Sequence, residues 1–244
     1  MVGQCRIKAV FLDAAHTTLR LARPYPDIFL SGIKDFGLAA SYGDVERVLV
    51  ECWSRVEHRF NGEHEGDYVV DDAWDRRMWA GFYSMMLDEL GITGYSDEII
   101  GSIYRQFGMS TNWSLYPETI EAIKALKERG LFVGIGSNWD SSLPNVLAGL
   151  GVSQLLDASV ISCQIGSRKP AAAFFAAECA AAGATAQEVM HVGDHPVADI
   201  SGPRRMGMPC ILVWRDSTPA PDCGVPVVKS LLEIGEVLDR MALQ

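Results

Sequence analysis

Residues 8–20 read Lys-Ala-Val-Phe-Leu-Asp-Ala-Ala-His-Thr-Thr-Leu-Arg. An apolar run, Ala9 to Leu12, ends in Asp13. Continuous apolar runs of this kind belong to parallel strands buried on both faces. In an open α/β sheet, ligands bind just beyond the carboxyl ends of the strands. Asp13 is therefore expected at the lip of a strand, facing a pocket. Taken alone, it reads equally well as a turn aspartate, so the rest of the chain must decide.

Residues 117–244 repeat the pattern. Apolar strands are expected at 131–136, 157–162, 189–192 and 209–214, with a last short one at 227–228. Helices are expected between them, near 117–129, from about 141, at 171–182 and from about 195 to 206, with Ser230 capping a final one. Pro at helix starts and Gly just past helix ends set several of these boundaries. Strand–helix alternation means a parallel sheet with right-handed crossovers. Residues 21–116 lack that alternation. Their periodicity predicts helices at 26–36, 44–60, 71–90 and 96–107, separated by Gly37, the polar stretch 61–68 and Gly91. The expected organisation is an α/β core made of 1–20 and 117–244, with an all-helical insertion at 21–116 covering the strand ends.

Composition narrows the function classes. The 244 residues carry a formal net charge of -10, which argues against a nucleic-acid binder. An anionic small-molecule substrate is still compatible, because a bound cation inverts the local field. No signal peptide or membrane-length apolar stretch is apparent. Six scattered cysteines without a CxxC pair fit a reducing, cytoplasmic setting better than a zinc site or disulfide framework. Oligomeric state is not legible.

Successive strand ends carry Asp13, then Ser137-Asn138, then Lys169 in the loop after the next strand, then Asp194 with Asp199. A parallel sheet brings these positions to one rim. Individually they read as turn, cap and surface residues. Together they form a coherent phosphotransfer set. Asp13 and Asp194 suit Mg2+, which binds through few carboxylates and substrate phosphate. Asp199 is placed to act on the metal through water or to hold the Asp194 loop. Ser137, Asn138 and Lys169 are the expected phosphate contacts, and Asp13 the nucleophile of an aspartyl-phosphate route.

At this point the chain resembles the haloacid dehalogenase superfamily. FLDAAHT, GIGSN, the lysine of SRKP and VGDHPVAD match its four motifs, and 21–116 is similar to its helical C1 cap. LRLARP and SNWDSSL resemble the HDHD3-like, HAD-IA group of hydrolases. The resemblance implies a Rossmann-like core, Mg2+, and catalysis through Asp13, Ser137 and Lys169, with Asp13, Asp194 and the backbone carbonyl of Ala15 as metal ligands. It says little about the substrate, since one fold hosts many chemistries.

One departure matters. Phosphatases of this superfamily carry an acid/base aspartate two residues after the nucleophile, and here that residue is Ala15. General acid–base help is typically worth about 10²–10⁴ in rate. Three readings stay open: a phosphatase for good leaving groups such as acyl phosphates, a dehalogenase-like or phosphonatase-like hydrolase, and a weakly catalytic binding protein. His16 and His195 are candidate substitute acids, each set against a structural or solvated role. Lys34, the one lysine of the insertion, is expected on the surface. His64, between two glutamates in the 61–67 loop, is a weak metal signal. Trp53, Trp74, Trp79, Phe82 and Tyr83 fall at helical spacings and are expected in the insertion's own core or an interface.

Overall fold

The computed structural model describes residues 6–61 and 69–243. Strand β1 (Ala9–Leu12) is buried along its whole length, as its four apolar residues require. The chain then makes β2 (Leu19–Leu21) and runs through α1 (Tyr25–Ile33), α2 (Tyr42–Asn61), α3 (Asp72–Glu89) and α4 (Asp97–Phe107). It returns as β3 (Trp113–Leu115), then α5 (Thr119–Glu128), β4 (Phe132–Ser137), α6 (Leu143–Gly149), β5 (Ala158–Ile161), α7 (Ser162–Ile165), α8 (Ala172–Ala182) and β6 (Val189–Gly193). The last elements are α9 (Gly202–Arg205), β7 (Cys210–Val213), β8 (Val227–Val228) and α10 (Ile234–Ala242).

Among the described residues, β5-β4-β1-β6-β7-β8 form a six-stranded sheet, every pair of neighbours parallel. β1 is flanked by β4 and β6, so the chain leaves it to one side and later crosses to the other. That change of direction is a topological switch point, where an open sheet leaves a crevice at its carboxyl edge. Alternation along β1 divides the core into two layers. Val10 and Leu12 pack with Ile123, Val146 and Ile234 on one face. Ala9 and Phe11 pack with Phe174 and Phe175 on the other. A third apolar cluster lies in α1 to α4, built on Phe29, Val48, Phe82, Met86 and Ile103.

The expected helices and parallel strands form within a few residues of their predicted limits. α2 starts two residues before Asp44. Ser41 caps it: its hydroxyl accepts from the Asp44 N–H at 3.1 Å and donates to Oδ2 of that aspartate at 2.6 Å. Asp71 caps α3 by accepting from the Trp74 N–H at 2.7 Å. Two features escaped the periodicity. β2 and β3 pair antiparallel, Leu19 opposite Leu115 and Leu21 opposite Trp113, and so tie together the segments that leave and rejoin the sheet. The segment expected as one helix from 195 to 206 begins as a π-helical turn, Pro196–Ser201, before α9. Such turns concentrate at functional sites. The candidate loop 61–67 with His64 lies, but for the backbone of Asn61, outside the described residues.

Candidate active site at the carboxyl edge of the sheet

The rim predicted from the sequence assembles around one ammonium group. Lys169 Nζ donates to Asp13 Oδ1 at 2.6 Å, to Asp199 Oδ1 at 2.6 Å and to the Gly136 carbonyl at 3.0 Å. Those three bonds use all three ammonium protons. Lys169 and Asp199 are almost completely buried and Asp13 nearly so, so the pairing is strongly felt. The two carboxylates hold the lysine above its ordinary value, against the cost of burial. Asp199 is held well below the usual carboxylate range; burial opposes its charge, but Lys169 and His191 outweigh it.

Local structure places each group. β1 delivers Asp13, whose N–H donates to the Val192 carbonyl at 2.8 Å. The Thr18 hydroxyl braces the turn by sharing its one proton between the carbonyls of Asp13 (2.9 Å) and Ala14 (3.1 Å). β6 ends at Gly193 and delivers Asp194, whose Oδ1 accepts from the Thr17 hydroxyl at 3.1 Å. The π-helical turn folds Asp199 back so that its Oδ2 accepts from the His195 N–H at 2.8 Å. Gly193 must be glycine here: a Cβ would lie 2.3 Å from the Asp199 carboxyl carbon. Asn138, after β4, does not simply point at the pocket. Its side chain bonds both the N–H and the carbonyl of Lys169. Ser137, at the buried end of β4, lines the cavity.

The donor set fits a hard divalent cation. One oxygen each from Asp13, Asp194 and Asp199 lie within 4.8 Å of one another. Three carboxylates against one ammonium leave two formal negative charges unbalanced. The strain shows in Asp13 and Asp194. Burial, compounded by neighbouring carboxylates, raises the carboxyl of Asp13 and drives that of Asp194 far above the ordinary range. An all-oxygen site with that deficit is the chemistry of Mg2+.

A second layer lies behind the rim. His191, on β6, presents Nδ1 to Glu178 Oε1 at 2.9 Å and Nε2 to Asp199 Oδ1 at 3.1 Å. With a carboxylate at each nitrogen, the ring is held as imidazolium. Burial opposes the charge, yet Glu178 and Asp199 bring its pKa up to about 9. Gly136 makes room for this pair, since a Cβ there would lie 1.9 Å from Glu178 Oε1. Neither residue was picked out from the sequence, although each is the single charged side chain of an otherwise apolar element. A lone charge in such a setting signals a buried partner.

The departure at Ala15 is real in space as well as in sequence. Ala15 and His16 line the cavity, and no carboxylate takes the alanine's place in the turn. His16 is solvent-exposed and has a left-handed backbone, φ 60°. His195 Nδ1 accepts from the N–H groups of Val197 and Ala198, both at 3.2 Å. Its hydrogen therefore sits on Nε2, which lies 3.7 Å from Glu57 Oε1 on α2.

Above the rim is a cavity of about 680 Å³ between the strand ends and the helices. Trp53, Trp79, Phe82 and Tyr83 form part of its wall while also packing in the helical cluster. The expected cap core or interface covers their packing but not the cavity wall that these four also form. Trp74 instead lies against Arg168, whose guanidinium carbon is 4.9 Å from the ring centroid. Lys34 is exposed and away from the cavity, as expected. Asp75 and Asp140 share the Tyr104 hydroxyl, which is 2.8 Å from Asp75 Oδ2. One hydroxyl proton cannot serve two carboxylates. The second bond needs a proton from a carboxylic acid, which agrees with burial raising Asp75 to about 6.

With this geometry in view, the relatives are informative. Residues 7–207 match the family model for haloacid dehalogenase-like hydrolases. The chain belongs to that family of hydrolases. Human haloacid dehalogenase-like hydrolase domain-containing protein 3 is 24% identical over 247 residues, covering 99% of this chain and 94% of the relative. A candidate HAD-hydrolase of Bacillus subtilis, YfnB, solved bound to magnesium, superposes with a TM-score of 0.74 at 17% identity, over 96% of this chain and 99% of its own. The 2-haloacid dehalogenase of Pseudomonas syringae pv. Tomato DC3000 gives 0.62 at 20% identity, over 96% and 99%. Likeness at this level establishes the fold. No described helix is long and apolar enough to cross a membrane.

Proposed function

We propose that this hydrolase is a Mg2+-dependent phosphatase of small phosphorylated metabolites, working through an aspartyl-phosphate on Asp13. The observation that carries the reading is the placement of Lys169 Nζ 2.6 Å from both Asp13 and Asp199, beside a third carboxylate, Asp194. Lys169 opposes the rise that burial imposes on the Asp13 carboxyl and aims it. Ser137 stands at the neighbouring strand end to bind phosphoryl oxygen. Asp13 and Asp194, with the Ala15 carbonyl, would hold Mg2+ directly, and Asp199 through water. The cation would supply charge neutralisation for the transferring phosphoryl group.

Asn138 acts one step back, by fixing Lys169. Residues 21–116 serve as a cap over a core of 1–20 and 117–244, choosing substrates by what they admit. The free cysteines suit a cytoplasmic setting.

Ala15 restricts the reaction to leaving groups that depart without a proton. It also favours a second reading, 2-haloacid dehalogenation, where no second aspartate is needed. The uncompensated negative charge that raises the carboxyls of Asp13 and Asp194 supports the metal-dependent reaction instead.

Acetyl phosphate hydrolysis with Mg2+ in ¹⁸O-water separates the readings. The phosphatase places label in inorganic phosphate. Label in acetate, or no turnover above the blank, contradicts it. Metal-independent chloride release from 2-chloropropionate would establish the alternative.

A further inference from the structure

Two independent features of the cavity bear on what leaves the phosphate. Its wall is largely aromatic and preassembled. Trp53 and Trp79 lie stacked with centroids 6.3 Å apart, Tyr25 and Phe107 meet at 5.0 Å, and Trp113 and Trp139 at 4.8 Å. Two of the indoles have already spent their N–H groups inside the protein. Trp113 donates to the Phe107 carbonyl at 2.8 Å and Trp139 to the Ser142 hydroxyl at 3.2 Å. They present apolar faces rather than donors. Flat rings stack on such faces.

Charge is the second feature. Among the described residues, Lys169 is the sole lysine or arginine in the lining, and its protons are committed. Away from the rim, the ionisable carboxylates are Glu57, Asp75 and Asp140. A second phosphate or a carboxylate on the substrate would meet repulsion there. A ring bearing an ammonium group would be attracted to both the carboxylates and the indole faces.

Resting on the phosphatase reading above, we propose that the substrate class is aryl phosphate monoesters, in which a flat, neutral or cationic aromatic alcohol is the leaving group. The class also answers the loss of the acid at Ala15. A phenol ionises near about 10, whereas an aliphatic alcohol is close to water at about 15.7. In the first step an Asp13 oxygen bonds to phosphorus, and the phosphorus–aryloxide bond breaks with its electron pair on the aryl oxygen. In the second, water bonds to phosphorus and the phosphorus–Asp13 bond breaks, restoring the carboxylate. One water proton stays on the phosphate and the other reaches the aryloxide through solvent.

The test is a substrate panel with wild-type enzyme and Mg2+: acetyl phosphate, 1-naphthyl phosphate, glycerol 3-phosphate, fructose 1,6-bisphosphate, and phenyl phosphates carrying a ring aminoethyl or carboxylate group. The expected kcat/KM for naphthyl phosphate is at least a hundredfold above both aliphatic esters. The aminoethyl ring should exceed the carboxylate ring at least tenfold. Trp79→Ala, or Trp53→Leu should the first variant fold poorly, should lower the ratio of naphthyl to acetyl phosphate turnover at least tenfold. Asp13-dependent hydrolysis of acetyl phosphate with no preference for naphthyl over glycerol phosphate would overturn the aryl class and leave the phosphatase standing. Absence of turnover on every phosphate would overturn both.

Discussion

The side-chain amide of Asn138 clasps the backbone of Lys169 on both sides, its Oδ1 accepting from the Lys169 N–H at 2.8 Å and its Nδ2 donating to the carbonyl at 3.1 Å. The residue that opens the loop after β4 thereby fixes the residue that carries the ammonium. Asn138→Ala removes both bonds, each worth about 1 kcal/mol, and frees Lys169 to wander from Asp13. We expect kcat to fall roughly tenfold to a hundredfold, with a much smaller change in KM, since misplacement of about 1 Å costs on that scale. Steady-state kinetics beside a thermal melt checks this. Unchanged kcat would remove Asn138 from the positioning role.

Asp75 makes stability depend on pH. Burial lifts its carboxyl to about 6 in the folded protein, from 3.8 in a free chain. The folded state thus binds the proton more tightly, and stability falls as pH rises through that window. Asp75→Asn keeps a donor to the Tyr104 oxygen, in its amide N–H, and abolishes the titration. The variant should be more stable than wild type at pH 7.5 by roughly 1–3 kcal/mol, with the gain vanishing by pH 4. Melting curves at the two pH values decide it; a variant less stable at pH 7.5 would contradict the assignment.

The two unbalanced charges at the rim predict a stabilising cation. Saturating Mg2+ should raise Tm, since ligand at a hundredfold over Kd contributes about 2.7 kcal/mol. Asp194→Asn relieves the crowding that raises the Asp194 carboxyl. That variant should therefore melt higher than metal-free wild type and lose most of the Mg2+ response. An undiminished response would place the cation elsewhere.

Restoring a carboxylate beside the nucleophile tests what Ala15 costs. General acid catalysis is worth about 10²–10⁴ in rate, and the benefit concentrates on poor leaving groups. Ala15→Asp should raise kcat/KM on glycerol 3-phosphate at least tenfold while changing acetyl phosphate little. An equal change on both substrates would show that protonation of the leaving group is not what limits turnover.

The rim was legible because Asp13, Lys169, Asp194 and Asp199 interrupt or follow apolar strands, and a parallel sheet collects strand ends. The partnership behind them was not. Glu178 and His191 meet only because α8 lies across β6, and no local period reports that crossing. The β2–β3 ribbon spans three residues on each side, too short for alternation to register. The spacing of Trp53 and Trp79 points to a helical core or an interface, and both pack against the helical core. Helical spacing says which face is apolar, but not that this face also borders a cavity. The second bond of Asn138 to Lys169 depends on two loops meeting, which the motif order implied without fixing the atoms.

The central claim is that Asp13 is the nucleophile. Asp13→Asn retains the shape of the side chain and removes its charge. With Mg2+ and acetyl phosphate, and with folding verified by thermal melt, the account predicts a loss of at least about a thousandfold in kcat, on the scale of lost transition-state stabilisation. Turnover within tenfold of wild type by the folded variant would contradict it.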